Sequence, residues 1–282
     1  MSRAEAAAGV RGYAALFGSE LVLTFRRTRT LVLLGILASL PVLIGVVVKL
    51  NTGEAHGGDG PAFLAQVTQN GLFLVFTALA VALPVFLPLT VGVVAGDAVA
   101  GEAAGGTLRY LLVAPAGRTR LLAAKFTAGL AYCAAATTVV ALSALATGLA
   151  LFPVGEVTLL SGDVIGPGEA VFRVVLVAAV VAASLTGLVA IGLFVSTLTG
   201  SGIAAMAATV VLVITVQILD GFPQLNAIQP WLFTHHWLTF GDLLRERMYW
   251  DGVLRNLGLQ AAYTAVFASA AWARFTTRDV TA

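Results

Sequence analysis

Long apolar runs limit what this chain can fold into more than any other feature of the sequence. The run Leu31–Leu50 contains 20 residues, and its single charged residue, Lys49, lies next to its end. A helix of about 20 apolar residues is long enough to cross the roughly 30 Å hydrocarbon core of a bilayer. Strands of membrane barrels show only about ten residues of alternating polarity. The run therefore predicts a transmembrane helix.

The composition agrees with a membrane protein. Of the 282 residues, 59% are hydrophobic and only 11% are charged. Soluble domains carry about 25% charged residues, so this chain has too little polar surface to fold in water. The sequence therefore predicts an all-α, polytopic integral membrane protein, folded as a single domain over residues 1–282.

Runs of this kind predict six spans. The second contains Pro84 and Pro88, so we expect its middle to be bent or locally unwound. The spans are Leu31–Leu50, Asn70–Ala95, Phe126–Phe152, Val171–Leu198, Ile203–Leu219 and Val253–Trp272.

Basic residues predict the orientation of these spans. Eleven of the 16 Lys and Arg residues lie in the N-terminal segment, the loop after span 2 and the C-terminal tail. Because cytoplasmic segments are enriched in Lys and Arg, both termini are expected in the cytoplasm, and the protein in the cell (inner or plasma) membrane. Nine of the 14 acidic residues fall on the opposite, outer side, which agrees.

Two further segments flank the spans. Residues 1–29 place apolar residues at three- and four-residue spacings, which predicts an amphipathic elbow helix in the cytoplasmic interface. Residues 221–251 are too polar to span but are rich in aromatic side chains, which favour the membrane–water interface. We therefore expect Trp231–Met248 to form an interfacial or re-entrant helix on the outer face, between spans 5 and 6.

The cytoplasmic loop 96–120 combines signals for a helix end, a short helix and a basic anchor. Gly105 and Gly106 allow a sharp break in the chain, and Thr107 can cap a new helix. Leu108, Leu111 and Leu112 then form one apolar face, and Pro115 ends the helix. We expect Asp97 and Glu102 to bond loop backbone or a partner. Arg118, Arg120 and Lys125 are expected to anchor span 3 at anionic headgroups. An ordinary capped loop with basic anchors is the alternative.

This loop resembles the one between spans 2 and 3 of type-2 ATP-binding-cassette (ABC) permeases, the membrane subunits of ABC exporters. The resemblance rests on the pattern Glu102-x-x-Gly105-Gly106-Thr107-Leu108-x-x-Leu111-Leu112-x-x-Pro115-x-x-Arg118. It extends to the six spans and the elbow helix. The pattern Asp97-Ala98-x-x-Gly101-Glu102 is also similar to the branch that includes the permease of nitrous-oxide-reductase maturation.

The resemblance implies that the loop forms a coupling helix that docks on a cytoplasmic ATPase subunit. ATPase-coupling residues would be Glu102, Gly105, Gly106, Thr107, Leu108, Leu111, Leu112, Pro115 and Arg118. Two permease subunits, identical or paralogous, would each bind one ATPase, giving two ATPase copies per complex. Spans 1, 2 and 5 would line the path and the seam between the permeases, and no nucleic acid would be involved.

The sequence contains no motif for ATP hydrolysis or for other catalysis. It has no G-x-x-x-x-G-K-[ST] phosphate loop, no H-E-x-x-H, no G-x-S-x-G and no C-x-x-C. The single cysteine, Cys133, lies in an apolar run, and His235-His236 with distant His56 are more typical of interfacial polar residues than of a metal site. We therefore expect no catalytic residues, no metal and no cofactor on this chain, with ATP and Mg²⁺ bound by the partner.

The expected function is export of a hydrophobic or amphipathic substrate, such as a drug, an antibiotic or a lipid-like molecule. Two alternatives stay open. One is a membrane-anchored assembly or signal-transmitting subunit that moves nothing itself. The other is delivery of a metal or sulfur species for the maturation of an extracytoplasmic enzyme.

Overall fold

The computed structural model describes residues 3–51, 67–68, 70–106, 117–153, 157–158 and 164–277. Within these ranges the chain forms nine α-helices, one two-stranded sheet and three 3-10 helices. The α-helices are α1 Arg3–Arg26, α2 Thr28–Asn51, α3 Phe73–Ala82, α4 Phe86–Ala104, α5 Arg118–Leu151, α6 Pro167–Ser184, α7 Thr186–Leu198, α8 Gly202–Asp220 and α9 Asp251–Thr277. Strands β1 (Val157–Thr158) and β2 (Val164–Ile165) pair antiparallel.

The helical membrane architecture predicted from the sequence is confirmed in outline. Among the described residues, five helical segments are long and apolar enough to cross a membrane: Thr28–Leu50, Phe86–Ala104, Arg118–Leu151, Gly168–Leu198 and Gly202–Asp220. The predicted sixth span is a helix, α9, but Arg255, Asn256 and Gln260 make it more polar than these five. The count of six spans therefore stays a prediction, as does the interfacial position of α1.

The prolines of the predicted second span interrupt it, as expected. Residues 83–85 leave the helical path, and α3 ends at Ala82 while α4 begins at Phe86. Pro84 has no N–H to donate to the preceding turn, and Val85 takes a non-helical backbone (φ −124°, ψ −63°). Pro88 lies in the first turn of α4, where a missing N–H costs nothing. The predicted span is therefore two helices joined by a break.

Small residues let α4 lie at the centre of the bundle. A Cβ at Gly96 would stand 3.0 Å from the carbonyl oxygen of Ala205, so the backbones of α4 and α8 nearly touch there. On the side facing α7, a Cβ at Gly192 would collide with the methyl group of Ala95. Helices in membranes associate by such close packing, because lipid provides no hydrophobic drive between them.

The bundle has two distinct ends. At one end, which we call the α1 end, α2 and α5 begin and α4 and α9 finish, and Gly202 at the start of α8 lies against Asp97 of α4. At the other, which we call the opposite end, Lys49 of α2 lies 5.7 Å from the ring centre of Phe152. Of the predicted coupling residues, Glu102, Gly105, Gly106 and Arg118 are described, and they lie at the α1 end.

The predicted helix Trp231–Met248 is wrong as a single α-helix. The segment between α8 and α9 instead holds three 3-10 helices, at Pro223–Leu225, Gln229–Trp231 and Trp237–Leu244. The inward-facing residues Trp237, Phe240 and Leu243 recur every three residues, which matches the 3.0 residues per turn of a 3-10 helix. Apolar spacing alone did not distinguish this period from that of an α-helix.

Arg173 of α6 fixes this segment to the bundle. Its guanidinium donates to the carbonyl oxygens of Leu243 (2.8 Å), Arg245 (2.6 Å) and Glu246 (3.3 Å), which follow or end the last 3-10 helix. The same side chain pairs with Glu169 at 2.6 Å and is only 2% exposed. A buried arginine with several donors is well suited to satisfy such carbonyl groups.

We predict that Arg173→Met destabilises the protein by about 3 kcal/mol, because it leaves buried carbonyl oxygens without donors. The measurement is thermal unfolding in detergent, read by circular dichroism. Arg247→Met, which removes an exposed arginine of the same segment, is the matched control and should change stability by less than about 0.5 kcal/mol. Equal unfolding temperatures for the two variants would contradict the proposed role of Arg173 in holding the 3-10 segment to the bundle.

Candidate functional site

The predicted coupling loop 96–120 is too long, because α4 continues to Ala104 and α5 already begins at Arg118. The chain leaves α4 after Ala104, and Gly106 takes a left-handed backbone (φ +67°) that glycine adopts without strain. The break predicted at Gly105 and Gly106 is therefore present. Gly117 (φ +75°) stands on the other side, just before α5. Thr107, Leu108, Leu111, Leu112 and Pro115 lie outside the described residues, so the coupling helix itself stays a prediction.

Next to this segment, three buried charged side chains join α1, α4 and α5. The Lys125 ammonium donates to Glu102 at 2.5 Å and to both carboxylate oxygens of Glu20, at 3.0 and 3.1 Å. The side chains of Lys125, Glu102 and Glu20 are 1%, 4% and 9% exposed. We call this group the lysine triad. It ties the last turn of α4, before the predicted segment, to the second turn of α5, after it.

A second ionic cluster joins α2 to α4. Arg27 and Arg29 each donate to the same oxygen of Asp97, both at 2.5 Å. The other carboxylate oxygen of Asp97 lies against Gly101 and Gly202, where a Cβ on either residue would collide with it. We call Arg27 and Arg29 the arginine pair. Two glycines thus make room for the carboxylate that holds this pair.

The two clusters share one small cavity. Glu20, Glu102, Lys125 and both residues of the arginine pair line a cavity of about 30 Å³ between α1, α2, α4, α5 and α7. A volume of this size holds one or two water molecules. The triad has a formal charge of −1, and Asp97 with the arginine pair has +1, so the network is neutral as a whole. Mutual neutralisation is what allows so many charges to be withdrawn from water.

Arg118 binds the end of another helix. Its guanidinium donates to the carbonyl oxygens of Thr276 (2.9 Å) and Phe275 (3.5 Å) in the last turn of α9, where a cation also favours the helix dipole. Trp272 of α9 donates to Thr119 at 3.0 Å, one residue further along α5. The start of α5 is therefore fixed to the end of α9.

Three sequence expectations for these charges need correction. Lys125 was expected to anchor span 3 at lipid headgroups, but it is buried between two carboxylates. Glu102 and Asp97 were expected to bond loop backbone or a partner, whereas they pair with Lys125 and with the arginine pair. Glu20 was not recognised at all. The available signal is that Glu20 in α1 and Lys125 in α5 each interrupt a largely apolar stretch.

One histidine of the 3-10 segment is paired with an acid. His235 Nδ1 lies 2.6 Å from Asp220 at the end of α8. Burial lowers the pKa of His236, and the neighbouring His235 and Arg255 lower it further. Within the described ranges no three metal-ligating side chains come together, and His56 lies outside those ranges.

The apolar helices and the buried network define an all-α membrane protein of several spans, in which ion pairs connect the helices at one end. A family model matches residues 42–281, and the chain belongs to that family, which is described as protein of unknown function (DUF2705). No curated protein matches the chain.

We predict that Lys125→Met destabilises the protein by about 3–5 kcal/mol or prevents folding, because it leaves two buried carboxylates without their cation. The triple variant Lys125→Met, Glu20→Gln, Glu102→Gln removes all three charges and should recover most of the loss. Yield and thermal unfolding in detergent measure both. Arg120→Met, at an exposed position five residues earlier on α5, is the control. A Lys125→Met protein as stable as that control would show that the triad does not hold α1, α4 and α5 together.

Proposed function

We propose that this protein is the membrane-spanning subunit of an ABC exporter, and that an ATPase on a separate chain drives it through residues 107–116. The observation that supports this most is the position of the ionic network. The lysine triad grips both flanks of the proposed docking segment, Glu102 just before it and Lys125 just after it. A push on the segment would then reach α4 and α5 together.

The network extends this connection to two more helices. Glu20 links the triad to α1, and the arginine pair links Asp97 of α4 to the start of α2. Electrostatic attraction is strong where water is excluded, so the connected helix ends resist separation. Displacement of the docking segment would therefore move the α1 end as a unit, which is how rigid-body switching transmits a small local shift.

The exposed face of α8 is consistent with a second permease subunit. Gly202, Ala205, Thr209 and Val213 are buried, so one stripe of α8 faces α4. The remaining faces are largely exposed and apolar, with Ile203 77% and Val211 59% exposed. In the proposed complex, two copies or two paralogues meet along this helix and enclose the path of a hydrophobic or amphipathic substrate. Cycles of ATP binding and hydrolysis on the ATPase pair open and close that path.

The proposal predicts that an ATPase activity co-purifies with this chain and depends on Leu108. Affinity purification of the full-length chain from its native membranes should recover ATP hydrolysis. Leu108→Asp should lower the recovered ATPase activity at least about tenfold, because it places a charge in an apolar docking face. Leu238→Asp, at an exposed leucine of the last 3-10 helix, makes the same change at the opposite end and should recover normal activity.

Absence of any co-purifying ATPase, or equal ATPase recovery with Leu108→Asp, would reject the docking role. Intact ATPase coupling without solute flux in proteoliposomes would instead favour an assembly or signalling subunit.

The proposed orientation makes a separate prediction about thiol labelling. Cys133 is 1% exposed, so the native chain should react little with a membrane-impermeant maleimide. Arg247→Cys, at the opposite end, should label in intact cells, whereas Arg120→Cys, at the α1 end, should label only after permeabilisation. The reverse pattern would place residues 107–116 outside the cell and exclude a cytoplasmic ATPase as the driver.

A further inference from the structure

The arginine pair carries more positive charge than its carboxylate neutralises. Arg27 and Arg29 share one oxygen of Asp97, so the three side chains together keep a formal charge of +1. The −1 charge of the lysine triad, which balances it, is carried by side chains that are at most 9% exposed. Both arginine side chains also remain partly exposed, at 32% and 36%, while Asp97 is buried at 9%. These partly exposed side chains can therefore contact an anion outside the protein.

The surroundings of the pair are apolar and exposed. Val22 and Leu23 on α1, and Leu31 and Val32 on α2, are between 42% and 55% exposed. They lie within a few residues of the arginines along the chain, on either side of the break between the two helices. Long arginine side chains at such a boundary keep their charge among headgroups while hydrocarbon covers the apolar neighbours.

Arg29 has a further donor, its Nε, which is buried. Among the described residues, the buried Nε of Arg29 has no hydrogen-bond acceptor, although its two terminal nitrogens are occupied by Asp97 and by the sulfur of Met206. Arg29 also lines the cavity of about 30 Å³, together with Thr24 and Thr30. That volume is too small for a headgroup but holds a bridging water or a single phosphate oxygen.

We infer that the arginine pair binds the phosphate of an anionic phospholipid, whose acyl chains cover the exposed apolar side chains beside it. Guanidinium groups bind phosphate in planar, two-donor geometry, and net positive charge at a membrane surface attracts anionic lipid. A free phosphate ion satisfies the arginines but leaves the apolar side chains uncovered, so the surroundings favour the lipid. This site does not depend on the proposed exporter function.

The experiment titrates phosphatidylglycerol or phosphatidylcholine onto the full-length chain in detergent, with adducts counted by native mass spectrometry. The wild-type chain should bind phosphatidylglycerol more tightly than phosphatidylcholine. Asp97→Asn raises the local charge by one and should tighten phosphatidylglycerol binding about fivefold. The triple variant Arg27→Gln, Arg29→Gln, Asp97→Asn removes the whole cluster without leaving a buried carboxylate unpaired, and should weaken that binding about fivefold.

Arg247→Gln, an exposed arginine at the opposite end, makes an equal charge change to each single variant and should bind like the wild type. If the triple variant does not fold, Arg27→Gln and Arg29→Gln singly each keep one arginine on Asp97 and should each lose about fivefold.

Three outcomes would overturn the assignment. One is unchanged phosphatidylglycerol binding in the triple or both single variants. Another is full displacement of the lipid by inorganic phosphate, which would make the site one for the free ion. The last is a dimer without lipid adducts, which would mean that a second copy covers the apolar side chains.

Discussion

Charge neutralisation inside the bundle is the constraint from which the arrangement of the α1 end follows. A lysine that is almost completely buried requires a carboxylate in contact with it, and Lys125 has two, one from α1 and one from α4. Each of these contacts fixes the axial position of one helix against α5. A shift of α1 or α4 by one turn, about 5 Å, would leave a buried charge without its partner. The register of three helices is thus set by contacts among one lysine nitrogen and three carboxylate oxygens.

The glycines of α4 and α8 make the second part of the network possible. Asp97 can be buried only because Gly101 and Gly202 leave space beside its carboxylate, and Gly96 brings α8 close enough to close that space. Close helix approach and buried charge are therefore one structural feature here. The same contact leaves the remaining faces of α8 free to meet lipid or another subunit.

Particular elements show which kind of information the sequence contained. Apolar runs located the bounds of α2 and α8 within a few residues, and Pro84 located the break between α3 and α4, because these depend on local hydropathy and on the chemistry of proline. The sequence does not reveal the partners of Asp97 and Glu102. Arg27 and Arg29 are distant from Asp97 along the chain, as Lys125 is from Glu102, and helix packing alone brings them together. The 3-10 segment was misjudged because a spacing of three residues fits both helix types over a few turns.

The two ends of the bundle are held by different chemistry, and the difference bears on where the protein can move. At the opposite end, Arg173 and Gln229 donate to main-chain carbonyl groups, which are fixed in place by the chain that carries them. At the α1 end, the ion pairs between helices run from one side chain to another, as in Lys125 to Glu20 and Arg27 to Asp97, although Arg118 also donates to main-chain carbonyl groups of α9. Side chains of this length can follow a displaced partner by rotating about several bonds, whereas a clamped backbone cannot. The ion pairs can therefore persist through small shifts of the helix ends, and they keep α1, α2, α4 and α5 connected at the end where the chain enters and leaves residues 107–116.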